Sequence, residues 1–255
     1  MADLVDNSVE ADATEVRVGF HFDGEHSFVI ISDNGRGMSA EQLDEALRYG
    51  SKRSYGERDL GKFGLGLKTA SLSQCRRLTV LSRQAGHNAP SGLQWDLGHV
   101  EATDRWEAMR MEPDEIDSKI SSSLPQSSGT VVVWELLDRV LRYKSPSGKS
   151  AKDSFVALCR EAEEHLSMVF HRFLSGESRR RLPLSIYLNG NRIEAWDPFA
   201  KSERATKALA NQRLRFQHNE VAVGVLVQPY ILPNEMSFSS AAAKNMAAGP
   251  KKWNR

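Results

Sequence analysis

Asp33-Asn34-Gly35-Arg36-Gly37-Met38 is the stretch from which the fold of this chain can be inferred. It follows an apolar run, Ser27–Ser32, with the character of a buried strand, and it precedes Ser39-Ala-Glu-Gln42, which has the form of a helix capping box. The glycines therefore lie in a strand-to-helix connection, where residues without side chains permit positive φ and let the backbone approach a flat ligand closely. Asp33, at the end of the strand, is placed to accept a hydrogen bond from an exocyclic amine. A simple Asp-Asn-Gly turn is the alternative interpretation.

A second glycine-rich stretch, Gly61-Lys62-Phe63-Gly64-Leu65-Gly66-Leu67-Lys68-Thr69, leads out of a loop into a helix predicted over 65–73. Free backbone N–H groups and the helix dipole favour an anion at such a helix start, and a phosphate chain is the expected ligand. The spacing is not that of a Walker P-loop, and the βαβ context of a dinucleotide fingerprint is missing. A structural glycine turn remains the alternative.

Asp3 and Asn7 are predicted to share one face of a helix over 2–10, because residues four apart are neighbours on a helix. A carboxylate in this position can polarise a water molecule, and an amide oxygen can ligate Mg²⁺, a hard cation that prefers oxygen. A solvated polar face is the alternative for this pair. Further along the chain, Ser128-Gly129-Thr130-Val131 begins another predicted strand.

Together these segments resemble the nucleotide-binding boxes of the GHKL ATPases, the group of the gyrases, heat-shock chaperones, histidine kinases and MutL. The helix with Asp3 and Asn7 is similar to the N box, Asp33–Met38 to the G1 box, Gly61–Thr69 to the G2 box, and Ser128–Val131 to the additional Gly-Thr element. The resemblance is strongest to the MORC-like and MutL-like branch. It implies an α+β fold, a two-layer α/β sandwich of the Bergerat type in which a mixed sheet carries helices on one face.

The resemblance also implies a role for each matching residue. Asp33 binds the adenine amine, Gly37 packs beside the base with Gly35 and Met38 in the same segment, and Thr130 reaches the adenine side through water. Asn7 binds the Mg²⁺ that bridges the phosphates of ATP, and the stretch from Gly61 to Thr69 covers the phosphates. Many relatives that hydrolyse ATP carry a glutamate as general base four residues before this asparagine. Here that position is Asp3, one methylene shorter, which implies slow hydrolysis.

Two regions are predicted on either side of a polar, Ser-, Gly- and Pro-containing break near 143–150. Residues 1–143 are expected to be the ATP-binding domain, trimmed at its N-terminus, and residues 150–255 a transducer-like domain of β-α-β type that is incomplete at its C-terminus. A long helix over 152–174 and a strand over 221–231 are expected in the second region, whereas the serine-rich segment 112–128 is expected to be a surface insertion. In relatives the transducer donates a lysine to the γ-phosphate, but no motif selects among Lys244, Lys251 and Lys252.

Composition restricts location and partners. No apolar run approaches the ~20 residues that span a bilayer, and the acidic first residues do not predict a signal peptide, so no membrane partner is expected. The two cysteines, Cys75 and Cys159, are far apart and suit a reducing cytoplasm. Although the formal net charge is only +1, Arg179-Arg180-Arg181 stands in a stretch, 174–215, with nine Lys or Arg against four Asp or Glu. This local excess is typical of a solvated loop after a helix, and the other interpretation is a surface that contacts the phosphate backbone of DNA.

The predicted function is Mg-ATP binding with slow hydrolysis, which drives lid closure and homodimerisation in a conformational switch that the MutL and MORC resemblance connects with DNA. One alternative is the ATP-binding domain of a histidine kinase, which a phosphotransfer assay would distinguish. The other is a nucleotide-sensing module that does not hydrolyse ATP, which an inert Asp3 would favour.

Overall fold

The computed structural model describes residues 1–48, 66–112, 115–141, 145–178, 182–218 and 221–248. The chain forms two compact units, Met1–Glu194 and Ala195–Arg255, and each is described by itself. The predicted phosphate-binding residues Gly61–Leu65, the basic run Arg179–Arg181 and the lysines Lys251 and Lys252 lie outside the described residues. Among the described helices, none combines the length and apolar character needed to cross a membrane.

The helices and strands of the first unit agree closely with the sequence prediction from residue 2 to residue 48. The helices are α1 (Ala2–Glu10), α2 (Ala40–Leu47), α3 (Gly66–Leu72), α4 (Leu97–Thr103), α5 (Ser118–Ser123), α6 (Lys149–Val169) and α7 (His171–Leu174). The strands are β1 (Glu15–His21), β2 (Phe28–Asp33), β3 (Arg77–Arg83), β4 (Ser91–Asp96), β5 (Met109–Met111), β6 (Gly129–Glu135), β7 (Ser185–Leu188) and β8 (Asn191–Arg192). The predicted capping box of α2 is confirmed, because the Ser39 hydroxyl accepts from the Gln42 amide and the Gln42 side chain accepts from the Ser39 amide.

The strands of the first unit form one mixed sheet in the order β5-β4-β3-β6-β2-β1-β7-β8. Neighbouring strands run antiparallel, except for β1 and β7, which run parallel. The parallel pair needs a crossover, and α6 lies in the connection that provides it. The predicted α+β class with a mixed sheet is confirmed.

One face of the sheet carries the main core. Leu4, Val5 and Val9 of α1, Leu43 and Leu47 of α2 and Leu72 of α3 are buried there against apolar strand residues. Side chains alternate between the two faces along a strand, so in β3 Leu78 and Val80 both point to the helix-covered face.

A second core cluster covers part of the opposite face. Ile30, Leu81, Val131 and Val133 point to this side of the sheet and pack with Ile120 and Leu124 from α5 and the residues that follow it. The segment 112–128 was expected to be a surface insertion, but its short helix buries these two apolar side chains. The polar serines around them concealed the apolar spacing, so the sequence prediction did not include α5.

The boundary between the units differs from the break predicted near 143–150. Helix α6 buries Phe155 and Leu166 in the core shared with α1, and Ile186 of β7 is fully buried next to β1. Because β7 pairs with β1, the segment up to Glu194 belongs to the first compact unit. Local composition suggested a domain break at this point, but only the strand pairing assigns the following helix to a unit.

The second unit contains β9 (Lys207–Ala208), β10 (Gln212–His218), β11 (Val221–Val227), β12 (Tyr230–Ile231) and α8 (Ala241–Ala248). Strands β10 and β11 form an antiparallel pair, and β9 pairs with β12. The single strand predicted over 221–231 is wrong, because it is divided into β11 and β12 around Pro229, which has no N–H to donate. Within this unit, the buried carboxylate of Glu203 accepts hydrogen bonds from the amide and the hydroxyl of Ser239, at 2.8 and 2.7 Å.

Candidate functional site

The carboxylate of Asp33 is buried at the end of β2, where only 9% of the residue is exposed. The Ser8 hydroxyl donates to its Oδ2 at 3.0 Å, and the Gly35 amide donates to its Oδ1 at 2.9 Å. Burial raises the pKa of Asp33, while hydrogen bonds from Gly35, from Ser8 and from the Thr130 backbone act in the opposite direction. The carboxyl group is therefore held in one orientation by three segments of the chain.

Two glycines in the connection after β2, Gly35 and Gly37, lie too close to other parts of the backbone to carry a side chain. Gly37 has φ +65°, and a Cβ at this position would lie 1.8 Å from the carbonyl oxygen of Arg83. A Cβ on Gly35 would lie 2.7 Å from the Cβ of Ala11. The connection is thus enclosed between the end of β3 and the residues after α1, which fixes its path beside Asp33.

Helix α1 contributes two of the predicted site residues, and both are exposed on its surface. Asp3 lies against the start of α3, because a Cβ on Gly66 would be 3.4 Å from the Cβ of Asp3. Asn7 lies one helical turn after Asp3. Burial raises the pKa of Asp6 between them, and the charges of Asp3 and Glu10 raise it further.

The second glycine-rich stretch is described from Gly66 onward. Leu67 is half-buried against the main core, and Thr69 is exposed. The Lys68 side chain is fully buried, and its ammonium group donates to the carbonyl of Arg48 at the end of α2. Burial lowers the pKa of Lys68, and the charge of Glu45 opposes this effect. The lysine thus holds the beginning of α3 to the end of α2, and its predicted contact with phosphate stays a prediction.

Two serines of this region were missed by the sequence reasoning. Ser8 donates to Asp33, and Ser82 contacts Met38, Gly129 and Thr130 through its side-chain oxygen. Both carry the same detectable signal, a hydroxyl on an otherwise apolar face. Ser8 follows Leu4 and Val5 on the buried side of α1, and Ser82 continues the alternation of Leu78 and Val80 in β3.

The first helix, the Asp33–Met38 connection, α3 and the start of β6 therefore converge. Ser8 joins α1 to β2, Asp3 lies close to Gly66 at the start of α3, and Asp33 is paired with Thr130 across β2 and β6. Within the described residues, no group of three or more His, Cys, Asp or Glu side chains is arranged to hold a metal ion. The predicted role of Asn7 as a ligand of Mg²⁺ therefore stays a prediction.

A separate cleft of about 680 Å³ lies between α2 and the β4–β5 edge of the sheet. Its lining residues are Asp44, Leu47, Arg48, Leu93, Trp95, Trp106, Ala108 and Arg110. None of the predicted site residues lines it, so it is not part of the constellation around Asp33.

Comparison with known proteins gives relatives that are similar to part or most of this chain. The chain is 32% identical over 88 residues to the ATPase morc-1 of Caenorhabditis elegans, which covers 34% of this chain and 10% of that protein. It is 27% identical over 216 residues to the DNA mismatch repair protein MutL of Herminiimonas arsenicoxydans, which covers 82% of this chain and 31% of that protein. The chain thus spans a third or less of the length of these two relatives.

A solved structure supports the fold. The ATPase and transducer domains of DNA topoisomerase II from Balamuthia mandrillaris are similar, with a TM-score of 0.51 and 14% identity, over 82% of this chain and 51% of that chain.

A known protein family matches the part of the chain that contains the segments around Asp33. Residues 1–130, half of the chain, match the family described as "Histidine kinase-, DNA gyrase B-, and HSP90-like ATPase". This range contains α1, the Asp33–Met38 connection, α3 and Thr130. The chain belongs to this family of ATPases.

Proposed function

We propose that this chain binds Mg-ATP and hydrolyses it slowly, and that the nucleotide drives lid closure and homodimerisation in a conformational switch. The observation that carries the proposal is the buried carboxylate of Asp33, held by Ser8 and Gly35 inside the range that matches the family. An oriented, acceptor-only carboxylate suits an exocyclic amine and disfavours a carbonyl at the same place.

The other residues take the following roles. Gly37 lies beside the base with Gly35 and Met38, and Thr130 approaches the adenine side through water. The segment from Gly61 to Thr69, with Lys68 near its end, covers the phosphates. The side-chain oxygen of Asn7 would hold Mg²⁺, which, when bound, would reduce the negative charge of the phosphates.

In the proposed hydrolysis, Asp3 accepts a proton from water as the water oxygen bonds to the γ-phosphorus. The bond from this phosphorus to the bridging oxygen breaks, which releases ADP and inorganic phosphate. A general base must lie within ~2.6–3.2 Å of the water oxygen or act through one further water. Since aspartate is shorter than glutamate, this contact is harder to form, and slow turnover follows.

The switch requires ATP to bind the closed form more tightly than the open form, because a ligand shifts an equilibrium only by its differential affinity. Light scattering with a non-hydrolysable ATP analogue tests dimerisation, and a monomer at all nucleotide concentrations would contradict it. The name of the MutL relative supports a role on DNA, with Arg179–Arg181 as the proposed contact. Unchanged DNA retention after all three arginines are replaced by glutamate would exclude that contact.

Thermal unfolding with Mg-ATP and Mg-GTP tests the central proposal. A ligand at 100 times its Kd adds about 2.7 kcal/mol to the free energy of unfolding, which raises the Tm of a domain of this size by roughly 5–10 °C. We expect this shift with Mg-ATP and a much smaller one with Mg-GTP, and we expect Asp33→Asn to lose the difference. Equal shifts of the wild type with both nucleotides would contradict the adenine role of Asp33.

A further inference from the structure

Asn34 directly follows Asp33, and its side chain binds the beginning of β1. The Asn34 Oδ1 accepts from the backbone amides of Thr14 and Glu15, both at 2.9 Å, and its Nδ2 donates to the Thr14 hydroxyl at 2.9 Å. Backbone amides can only donate, so the two contacts at Oδ1 settle which end of the side-chain amide faces them. Both lone pairs of this oxygen are used by the protein, and Asn34 therefore serves β1 with this oxygen and not a ligand.

These contacts decide where β2 ends. Val16 and Asp33 are the last paired residues at this end of β1 and β2, so Asn34 would be the next partner of Glu15. In a regular antiparallel pair, the backbone oxygen at this position accepts from the opposite amide. Here the Asn34 amide still donates to the Glu15 carbonyl, at 3.3 Å, but the side-chain oxygen accepts from the Glu15 amide. A side chain thus completes the strand pairing, and the backbone can leave the sheet directly after Asp33.

The turn of the backbone at Asn34 sets the direction of the next amide. The N–H that donates to the Asp33 Oδ1 at 2.9 Å belongs to the peptide group between Asn34 and Gly35. Because a peptide group is planar, the conformation of Asn34 orients this N–H. Ser8 holds the other oxygen, Oδ2, at 3.0 Å. An ionised carboxylate accepts about four hydrogen bonds, so Asp33 is oriented by the protein and still has capacity for an amine.

We propose that Asn34 is a positioning residue for recognition of the amine of adenine, which ends β2 at Asp33 and directs the Gly35 amide to the Asp33 carboxylate. This inference rests on the proposed binding of ATP through Asp33. Asn34 itself does not contact the nucleotide. Without its side chain, water takes over the amides of β1 and the peptide group before Gly35 loses its fixed direction, whereas the contact from Ser8 remains.

The test measures recognition of the amine alone. Mg-ATP is compared with Mg-purine riboside triphosphate, whose base has hydrogen in place of the amine and is otherwise that of adenine. Dissociation constants are measured by calorimetry for the wild type and for Asn34→Ala. The preference for ATP is expected to fall about 3- to 10-fold, because the hydrogen bond to the amine becomes poorly oriented. General structural damage would weaken binding of both nucleotides alike, so the ratio of the two constants separates positioning from damage.

Two matched variants complete the experiment. Asn34→Asp has nearly the same shape and keeps an acceptor for both amides of β1, so it should retain most of the preference for ATP. Asn189→Ala removes another asparagine oxygen that binds β1, one that accepts from the Phe20 amide at 2.7 Å near the other end of the strand. This variant should lower stability and leave the ratio unchanged.

The outcomes separate the role of Asn34 from that of Asp33. The backbone of Asn34 does not have a positive φ, so alanine adds no left-handed strain. Asn34→Ser, whose hydroxyl is too short to reach both amides, replaces Asn34→Ala if the alanine variant does not fold. An unchanged ratio in either variant overturns the role of Asn34. A wild type that binds no ATP, or that binds the two nucleotides equally, overturns the proposed function of the site itself.

Discussion

Asp33, proposed to bind the base, and Asp3, proposed to activate water, have opposite environments, one buried and one exposed. Asp33 is buried, and its oxygens already accept hydrogen bonds from Ser8 and Gly35. Asp3 is exposed on α1 next to the start of α3. A buried and oriented carboxylate suits recognition of a fixed group, whereas an exposed carboxylate can reach a water molecule that arrives with a ligand.

The raised pKa of Asp33 makes stability and nucleotide binding depend on pH in opposite ways. Because the folded state holds the Asp33 proton more tightly than the unfolded state, this group stabilises the fold fully below its ordinary value of 3.8. That contribution is lost as the pH rises through the higher folded value. Binding of an amine needs the ionised form, so ATP affinity should rise over the same pH range.

Thermal unfolding from acid to neutral pH checks this prediction. Relative to the wild type, Asp33→Asn should gain stability as the pH rises through that range, since it has no carboxyl to ionise. Stability curves of the two proteins that stay parallel would show that the Asp33 carboxyl does not titrate differently in the folded state.

Asp3 is expected to limit the rate of ATP hydrolysis. General-base catalysis contributes about 10²–10⁴-fold, so Asp3→Asn should lower kcat by about 100-fold or more with little change in the Kd for Mg-ATP. Asp3→Glu should raise kcat, because the longer side chain comes closer to the water. Steady-state phosphate release measures both, with Glu10→Gln as the control on the same helix. A kcat unaffected by Asp3→Asn would remove this residue from the mechanism and favour a nucleotide-sensing module.

At the scale of elements, the connection between β2 and α2 depends on how closely it passes the end of β3. Gly37 and Gly86 both have positive φ, +65° and +82°, but a Cβ would clash with Arg83 only at Gly37 and would have nothing within 4 Å at Gly86. Comparison of the two glycines therefore separates backbone strain from the close approach.

Gly86→Ala should cost only the strain of a left-handed residue, about 1–2 kcal/mol. Gly37→Ala adds the clash and should cost roughly 3 kcal/mol or more, with a clear loss of Mg-ATP binding. Urea unfolding of both variants provides the measurement. Equal losses of stability would mean that the path of the connection past Arg83 adjusts easily.

For the whole molecule, the unit boundary predicts which shortened chains fold. Residues 1–194 retain β7 beside β1 and keep Phe155, Leu166 and Ile186 in the core. Residues 1–143 lack all of these and leave the edge of β1 unpaired and apolar side chains of α1 uncovered. We expect the longer chain to unfold cooperatively and the shorter one to aggregate or to lose its defined tertiary signal in near-UV circular dichroism. Cooperative unfolding of residues 1–143 would support the boundary predicted from the sequence.

Local regularity made much of the first unit predictable. The helix predicted over 2–10 corresponds to α1, the apolar run Ser27–Ser32 predicted β2, and the Ser39–Gln42 pattern predicted the start of α2. Three further strands, β5, β9 and β10, were not predicted. The first two have only three and two residues, and β10 alternates arginine with apolar side chains that stay exposed.

The sequence by itself determined the family, the α+β class and the order of the site segments. Each of these segments is short, and its residue types favour one local conformation. The tertiary structure decided the rest. Ser8 and Ser82 enter the site only because α1 and β3 are packed beside residues distant in the chain. The close approach that requires Gly37, and the parallel pairing of β7 with β1, likewise depend on contacts between distant segments. No local pattern encodes these contacts, since they arise from packing many side chains together at once.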